Sequence, residues 1–567
     1  MLLFTRLILW RLAPMAQATL RPIWLLGLVL VVLEEVGAQT TPSARPNILV
    51  IVADDLGYSD LGSYGGEIHT PHLDALAAGG TRFTHFYTSS RCVPSRASLM
   101  TGLHPHQVDL GHMLRDHGLP GYRDRVAPHA VTLADVMRGA GYRTYHSGKW
   151  HLGTPDPTTH GFEEFYGTLV SAHTFWDPAH YRRLPEGRTA RAYAPGEFYG
   201  TDALTDHALD FLGQARQHPG QPWFLYLAFN APHFPLQARE ADIARYAEVY
   251  RQGWDTMRAE RLARMKRLGV VGSDTVLSPR SEYWTFNHAE HGVNPAWDSL
   301  PADRREDLAR RMAIYAAMVD RLDHNVGRVI ENLRANGELD NTLLMFTSDN
   351  GACAEWDPFG FDRVSGPNNV LHRGEALARM GGPGSYHSVG SSWANVSNTP
   401  WRLYKHFMQE GGIASPLIVH WPRGAKARGA LVSRPVHIID FMPTVMEATG
   451  APYPHQHHGH ATLPPEGRSL LPALRGQPES DRPLYFEHEG NRAIIDGRWK
   501  LVALHQKPWT LYDIERDRSE LNDLATTERD RVRTMAAQWE QWARRCQVLP
   551  APEDFTYPPP RDKPPGL

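Results

Sequence analysis

Asn47-Ile48-Leu49-Val50-Ile51-Val52-Ala53-Asp54-Asp55 decides the fold of this chain. The run from Ile48 to Ala53 is apolar, rich in β-branched residues and free of polar alternation. Such a run predicts a strand buried on both faces, as in a parallel sheet covered by helices. It stops at two aspartates, which sets a pair of carboxylates at the strand's carboxyl end, where open α/β sheets collect their ligands.

Working outward, Thr132 to Gly141 carries a cap residue, apolar positions 133, 136, 137 and 140, and a glycine stop, and predicts an amphipathic helix. Tyr142 to His146 predicts the next strand, and Trp223 to Phe229 and Leu343 to Thr347 two more. Between those two runs a long helix, with Leu308, Met312, Tyr315, Val319, Leu322, Val326, Ile330 and Leu333 on one stripe, ends at Asn336-Gly337. The alternation specifies an α/β fold: a large mixed, mainly parallel sheet flanked by helices.

From about residue 476 short strands follow turns instead: Leu484 to His488, Arg492 to Ile495, Trp499 to Leu504 and Trp509 to Tyr512, then a helix from Thr527 to Arg545. The expected domains are residues 43–475, which carry the chemistry, and a small antiparallel sheet plus helix over 476–560. Residues 351–395, rich in Gly, Ser and Pro, predict a long loop over the site.

With 567 residues, 42% hydrophobic and 10% aromatic, the chain can bury a large core; a net charge of -3 provides no global field to recruit nucleic acid or an acidic membrane. Arg6, Arg11 and Arg21, the apolar run Ile23 to Leu33 and Val36-Gly37-Ala38 predict a secretory signal over 1–38, with an uncleaved anchor as the alternative. No later stretch is apolar enough to span a bilayer, so the expectation is an exported protein, periplasmic or secreted, from a bacterium, without stable membrane insertion. Three cysteines, Cys92, Cys353 and Cys546, cannot form a disulfide framework, and pairing of Cys353 with Cys546 stays open.

Asp54-Asp55 and Asp349-Asn350-Gly351 end two predicted strands and offer four oxygen-bearing side chains, a set suited to a hard cation; taken singly they read as a solvated strand end and a turn. Gly148-Lys149-Trp150-His151 presents a cation and an imidazole that can hold a tetrahedral anion and move a proton. Phe229-Asn230-Ala231-Pro232-His233 repeats the pattern of strand, loop and histidine, and Asn398-Thr399-Pro400-Trp401-Arg402-Leu403-Tyr404-Lys405 supplies a further lysine. In Cys92-Val93-Pro94-Ser95-Arg96, Pro94 and Ser95 suit a helix start, Ser95 as cap. Cys92 is expected just ahead of the helix N-terminus, whose free N–H groups favour an anion.

In order and type these segments resemble the type I sulfatases, the formylglycine-dependent branch of the alkaline phosphatase superfamily, and N-T-P-W-R-L-Y-K resembles the bacterial arylsulfatases. The resemblance implies an alkaline phosphatase-like fold and a maturation enzyme that reads C-x-P-x-R and oxidises Cys92 to formylglycine. It implies calcium, with magnesium as the alternative, on Asp54, Asp55, Asp349, Asn350 and an oxygen of the modified Cys92. Arg96 and Lys149 would hold the formylglycine hydrate and the sulfate oxygens, and Lys405 would bind sulfate. One hydroxyl of the hydrate would attack sulfur to give a sulfated enzyme while His233 protonates the departing alcohol; His151 would deprotonate the second hydroxyl, expelling sulfate. The implied activity is arylsulfatase-like hydrolysis of small-molecule or glycan sulfate esters. The motif fits two alternatives as well, a phosphonate monoester or phosphodiester hydrolase and an inactive module that binds sulfated glycans.

Three weaker features complete the reading. His455-Gln456-His457-His458-Gly459-His460 reads as a solvated loop rather than a metal site, Asn395-Val396-Ser397 as a wall of the site rather than a glycosylation acceptor, and Trp176, Trp254, Trp284 and Trp297 as core rather than the lining of a substrate cleft.

Overall fold

The expected central strand forms as β1 (Asn47–Ala53), with every residue after the first buried. The computed structural model describes residues 45–556 apart from 114, 172, 173 and 427, so the expected signal segment lies outside the described residues. The sheet continues in chain order with β2 (Thr81–Phe83), β3 (Arg143–Lys149), β4 (Glu164–Thr168), β5 (Arg182–Leu184), β6 (Trp223–Ala228), β7 (Thr342–Ser348), β8 (Leu417–His420) and β9 (Ala430–Val432). Their spatial order is β9-β2-β8-β7-β1-β6-β3-β4-β5. β1 lies between two parallel neighbours, β7 and β6, and β3 and β4 extend the parallel run. β5, at one edge, and β8, between β7 and β2, run antiparallel to their neighbours, so the sheet is mixed and mainly parallel, as expected.

Alternate residues of β1 feed two cores. Leu49, Ile51 and Ala53 pack with Leu308, Met312 and Val319 of the long helix, while Ile48, Val50 and Val52 face Leu99 and Leu133 on the other side. Each fully buried Val, Leu or Ile contributes about 1.5–3 kcal/mol, so both faces of this strand stabilise the sheet. The helices involved are α1 (Cys92–Thr101), α2 (Leu133–Gly139), α3 (Gly200–Ala215) and α4 (Ala302–Ala335). α2 opens on a reciprocal cap in which Asp135 N–H donates to Thr132 Oγ1 (3.1 Å) and Thr132 N–H to Asp135 Oδ2 (3.0 Å). β3 runs past His146 to Lys149 because Gly148, opposite Ala228, comes so close that a Cβ would stand 1.8 Å from the Ala228 carbonyl oxygen. That extra length carries Lys149 to the sheet's carboxyl edge.

The C-terminal strands β10 (Leu484–His488), β11 (Asn491–Asp496), β12 (Trp499–Ala503) and β13 (Thr510–Asp513) form an antiparallel meander. α5 (Arg529–Arg545) covers one face with Trp539 and Trp542 over Ile494 and Leu501. Phe486, Ala493, Ile495 and Val502 on the other face belong to the main hydrophobic core. The junction also holds a buried charge cluster: Lys500 Nζ donates to Glu410 Oε1 (2.9 Å) and lies 2.8 Å from Glu520 Oε1, and Arg518 Nε donates to Glu410 Oε2 (2.6 Å). Burial opposes the charge on Glu410, but Lys500 and Arg518 outweigh it and hold the carboxyl at about 2. Burial raises Glu520, whose share of Lys500 is contested by Glu410. On acidification Glu520 takes its proton first, which relieves repulsion. Below pH ~4.5 the unfolded chain binds the Glu410 proton that the folded one resists, so stability is lost as the pH falls toward 2. Urea midpoints between pH 6 and 2 read this, and Glu410→Gln should flatten the acid limb.

Several smaller expectations resolve here. Trp254 and Trp297 are core and Trp176 packs against it, whereas Trp284 lines a cleft. Residues 351–395 form the expected long connection, broken by short helices Gly374–Ala378 and Gly390–Ser397. Asn395 is buried and donates to Ser281 Oγ (3.0 Å), which closes the sequon in the folded protein. The histidine-rich stretch forms a small ribbon, Gln456–His457 with His460–Ala461. Cys353 and Cys546 are free thiols. No helix among the described residues is long and apolar enough to cross a membrane.

Candidate active site

Parallel register sets the site. Ala53 pairs with Ser348, so Asp54-Asp55 leave β1 beside Asp349-Asn350 leaving β7. Asp349 N–H donates to Ala53 O (3.2 Å) and Asp54 N–H to Ala231 O (3.1 Å), tying the ends of β7, β1 and β6 together. Asp55 N–H donates to Asp349 Oδ1 (3.2 Å). Asp55 and His151 adopt left-handed backbone, φ 66° and 54°, a conformation that costs a non-glycine residue ~1 kcal/mol or more and persists where the surroundings fix it.

Cys92 is the first residue of α1 rather than a residue ahead of it. Ser95 N–H bonds to Arg91 O (2.9 Å), which starts the turn one residue before Cys92, and Ser95 Oγ accepts from Ser89 N–H (2.9 Å) instead of capping. The thiol lies 4.0 Å from Asp55 Oδ1. Burial pushes it up to about 12, against Lys149 and Lys405.

One helical turn on, Arg96 reaches the same place: its Nε donates to Asp349 Oδ2 (3.0 Å), Nη2 lies 2.8 Å from that oxygen and 3.3 Å from Asp54 Oδ1, and Nη1 donates to Lys149 O (3.1 Å). Lys149 Nζ donates to both oxygens of Asp54 (3.0 and 2.7 Å), and Lys405 Nζ to Asp55 Oδ2 (2.8 Å). Burial works against ionising Asp54 and Asp55, yet Lys149, His233 and Arg96 hold Asp54 well below the ordinary range, and Lys405 and His233 lower Asp55. Asp349 goes the other way: burial, reinforced by Asp54 and Asp55, lifts it to about 7 despite Arg96.

His233 donates Nδ1–H to Phe234 O (2.6 Å), leaving Nε2 3.5 Å from Asp55 Oδ2. His151 is buried with no protein partner on Nδ1. Burial lowers both imidazoles, assisted at His151 by Lys149 and Arg96.

The donor set fits a hard cation. Asp54 and Asp55 face the same point, Asp349 borders it through Asp55 N–H and Arg96, and Asn350 commits its Nδ2 to Asp55 Oδ1 (2.6 Å) and Gly351 O (2.9 Å) while its buried Oδ1 has no partner. Asp54, Asp55, Cys92 and His233 also bring ligand atoms within 4.8 Å of one another, which places His233 closer to the expected cation position than sequence suggested. Formally, three carboxylates balance Arg96, Lys149 and Lys405, so a divalent ion turns the site positive and ready for an anion.

Asp54, Asp55, Cys92, Arg96, Lys149, His151, His233, Asp349, Asn350 and Lys405 lie together here. Sequence missed Glu355, which accepts from Arg91 Nη1 (2.8 Å) and His406 Nε2 (3.1 Å) and lies 3.5 Å from Lys405 Nζ. Burial opposes its charge, but Arg91, Lys405 and His406 hold it at about 2. It sits in the long polar connection after β7, where no periodicity distinguishes it from any solvated acid.

Such a strand-end array of carboxylates, buried cations and two imidazoles is the equipment of a hydrolase acting on tetrahedral oxyanion esters. Residues 46–451 match the family model described as Sulfatase, and residues 400–544 the model described as N-sulphoglucosamine sulphohydrolase, C-terminal. An uncharacterised sulfatase of Schizosaccharomyces pombe is 34% identical over 548 residues, 90% of this chain and 96% of that protein. An arylsulfatase of Klebsiella aerogenes is 34% identical over 437 residues, 73% and 89% of the two chains. The solved structure of Ps i-CgsB in complex with k-i-k-neocarrahexaose superposes with a TM-score of 0.61 at 27% identity, covering 89% of this chain and 98% of that one. The chain belongs to the sulfatase family. It has the family's alkaline phosphatase-like fold and is a hydrolase of sulfate esters.

Proposed function

We propose that this sulfatase cleaves sulfate monoesters with Cys92, oxidised to formylglycine by a maturation enzyme, as its nucleophile. Calcium would be held by Asp54, Asp55, Asp349, Asn350 and an oxygen of the modified residue. The observation that carries the reading is the meeting of Cys92 with Asp55, inside a ring formed by Arg96, Lys149 and Lys405. When present, the hydrated aldehyde supplies two hydroxyls, one to attack sulfur and one to expel sulfate, and the cation offsets charge on the sulfate oxygens.

The chain's own side chains supply the rest. Arg96 and Lys149 fix the nucleophile and orient sulfate, and Lys405 donates to a sulfate oxygen from the Asp55 side. His233, with Nδ1–H committed to Phe234 O, offers only Nε2; in the imidazolium form, which Asp55 and Asp54 favour against burial, it gives the Nε2 proton to the departing alcohol and is left neutral. His151, whose Nδ1 has no protein partner, accepts the proton of the second hydroxyl. Residues 1–38 would export the protein to the periplasm or beyond.

Initial rates on 4-nitrophenyl sulfate and a 4-nitrophenyl phosphonate monoester test this, using protein whose Cys92 conversion is verified by peptide mass. Sulfate should be preferred, with activity lost on chelation and restored by calcium. A phosphonate preference would move the chemistry to phosphorus, and full activity after chelation would remove the metal from the reading.

A further inference from the structure

A second group of metal-ligating side chains stands apart from the catalytic one, in the connection after β7. Asp362, His372 and His387 bring one carboxylate oxygen and two ring nitrogens within 4.8 Å of one another. Two backbone bonds, Arg363 N–H to Tyr386 O (2.8 Å) and Ser388 N–H to Phe361 O (3.1 Å), set Asp362 opposite His387. His372 is placed by its own N–H, which donates to Asp307 Oδ1 on α4 (3.1 Å). Arg311, fully buried on the same helix, fixes the carboxylate: its Nη2 donates to Asp362 Oδ1 (3.0 Å) and Oδ2 (2.9 Å), while its Nε donates to Asp307 Oδ2 (3.1 Å). Val370 N–H also donates to Asp362 Oδ2 (2.7 Å).

Asp362 Oδ1 is oversubscribed. Besides Arg311 it is met by His372 Nε2 (3.0 Å) and by His387 Nδ1 in close contact. A carboxylate oxygen has two lone pairs and cannot serve three N–H donors, and an imidazole nitrogen that turns its own lone pair toward the oxygen is repelled unless a cation lies between them. The two rings stand edge to face, 79° apart with centroids at 5.0 Å, so they converge on the oxygen rather than stack. Burial lowers His387, against Asp362, which favours the neutral, ligating imidazole. Asp362 and His387 are buried, whereas the His372 side chain keeps 17% exposure, a way in for an ion and a place for water. Two imidazoles and one carboxylate with an open side suit zinc; calcium needs a larger set of oxygens and does not compete.

We propose that Asp362, His372 and His387 form a zinc site, with water completing the shell, that ties the connection after β7 to α4 through Asp307 and Arg311. Phe361 and Tyr386, each next in sequence to a ligand, pack on Phe234 at 4.9 and 6.2 Å between ring centroids, so the tie braces the wall beside His233. The site stands whether or not the sulfatase reaction runs as proposed. Calcium-saturated protein stripped of transition metals should take up one equivalent of Zn²⁺ in isothermal titration and gain melting temperature. His372→Ala and His387→Ala should each weaken binding by about a hundredfold or more and remove that gain. Zinc K-edge absorption of the parent, which needs no variant, should report two imidazoles and light oxygen ligands. Failure to bind zinc, an affinity unchanged in either variant, or a spectrum of oxygen ligands alone would overturn the assignment. Zinc retained by the variants would lie instead on the 455–460 ribbon or the catalytic carboxylates.

Discussion

Cys92→Ala should lower turnover of any sulfate ester by a factor on the order of 10⁴ or more while the protein still folds. The size of the effect follows from the geometry. Around Asp54, Asp55 and Asp349 the neighbouring cations and imidazoles position or move protons; the nearby thiol of Cys353, 3.9 Å from Lys405 Nζ, lies outside the C-x-P-x-R motif and is pushed well up by burial, so neither replaces a nucleophile covalently joined to the substrate's sulfur. The tolerance of the fold follows from the same contacts. The Cys92 side chain makes one long polar contact, 4.0 Å to Asp55, and alanine suits the first position of α1. Circular dichroism and thermal melting should match the parent, and on the proposed reading calcium binding is reduced at most modestly. Retained turnover in this variant sinks the mechanism, and a collapsed fold would assign Cys92 a structural role instead.

Lys500→Met should cost about 3–5 kcal/mol of stability. Lys500, Glu410 and Glu520 are each fully buried. Removing the ammonium leaves two carboxylates facing each other in low dielectric, with Arg518 on Glu410 alone. Arg518 cannot move to share itself, because it also donates to Thr84 O (2.7 Å) and lies over the Trp401 ring at 4.4 Å. Thermal inactivation rates should rise steeply, and Lys500→Met combined with Glu520→Gln should recover part of the loss. A variant as resistant to heat as the parent would show that the cluster contributes nothing net.

The sequence carried most of the site because its carboxylates end long apolar strands. Asp54-Asp55 and Asp349-Asn350 each follow a run readable as buried, and parallel pairing of two such runs brings their ends together without further information. Lys149, His151 and His233 are legible for the same reason. What escaped depends on tertiary contact. Glu355 and Arg91 meet through a loop with no period, and Trp284 has the same letter whether it fills a core or walls a cleft. The start of α1 was misplaced because Ser95, a good cap in isolation, found a better partner in the Ser89 backbone.

The strand order imposes a timetable on synthesis. β1, which carries Asp54 and Asp55, cannot complete its pairing until β7 ends at Ser348, roughly 250 residues after Cys92. At ~5–20 residues per second that is an interval of roughly 13–50 s during which the Cys92 segment is made but its sheet is not. In the finished fold Cys92 is 1% exposed and out of reach of another protein's catalytic groups. On the proposed reading, conversion and folding therefore run as a race, and protein that folds first should stay unconverted however much maturation enzyme is supplied afterwards.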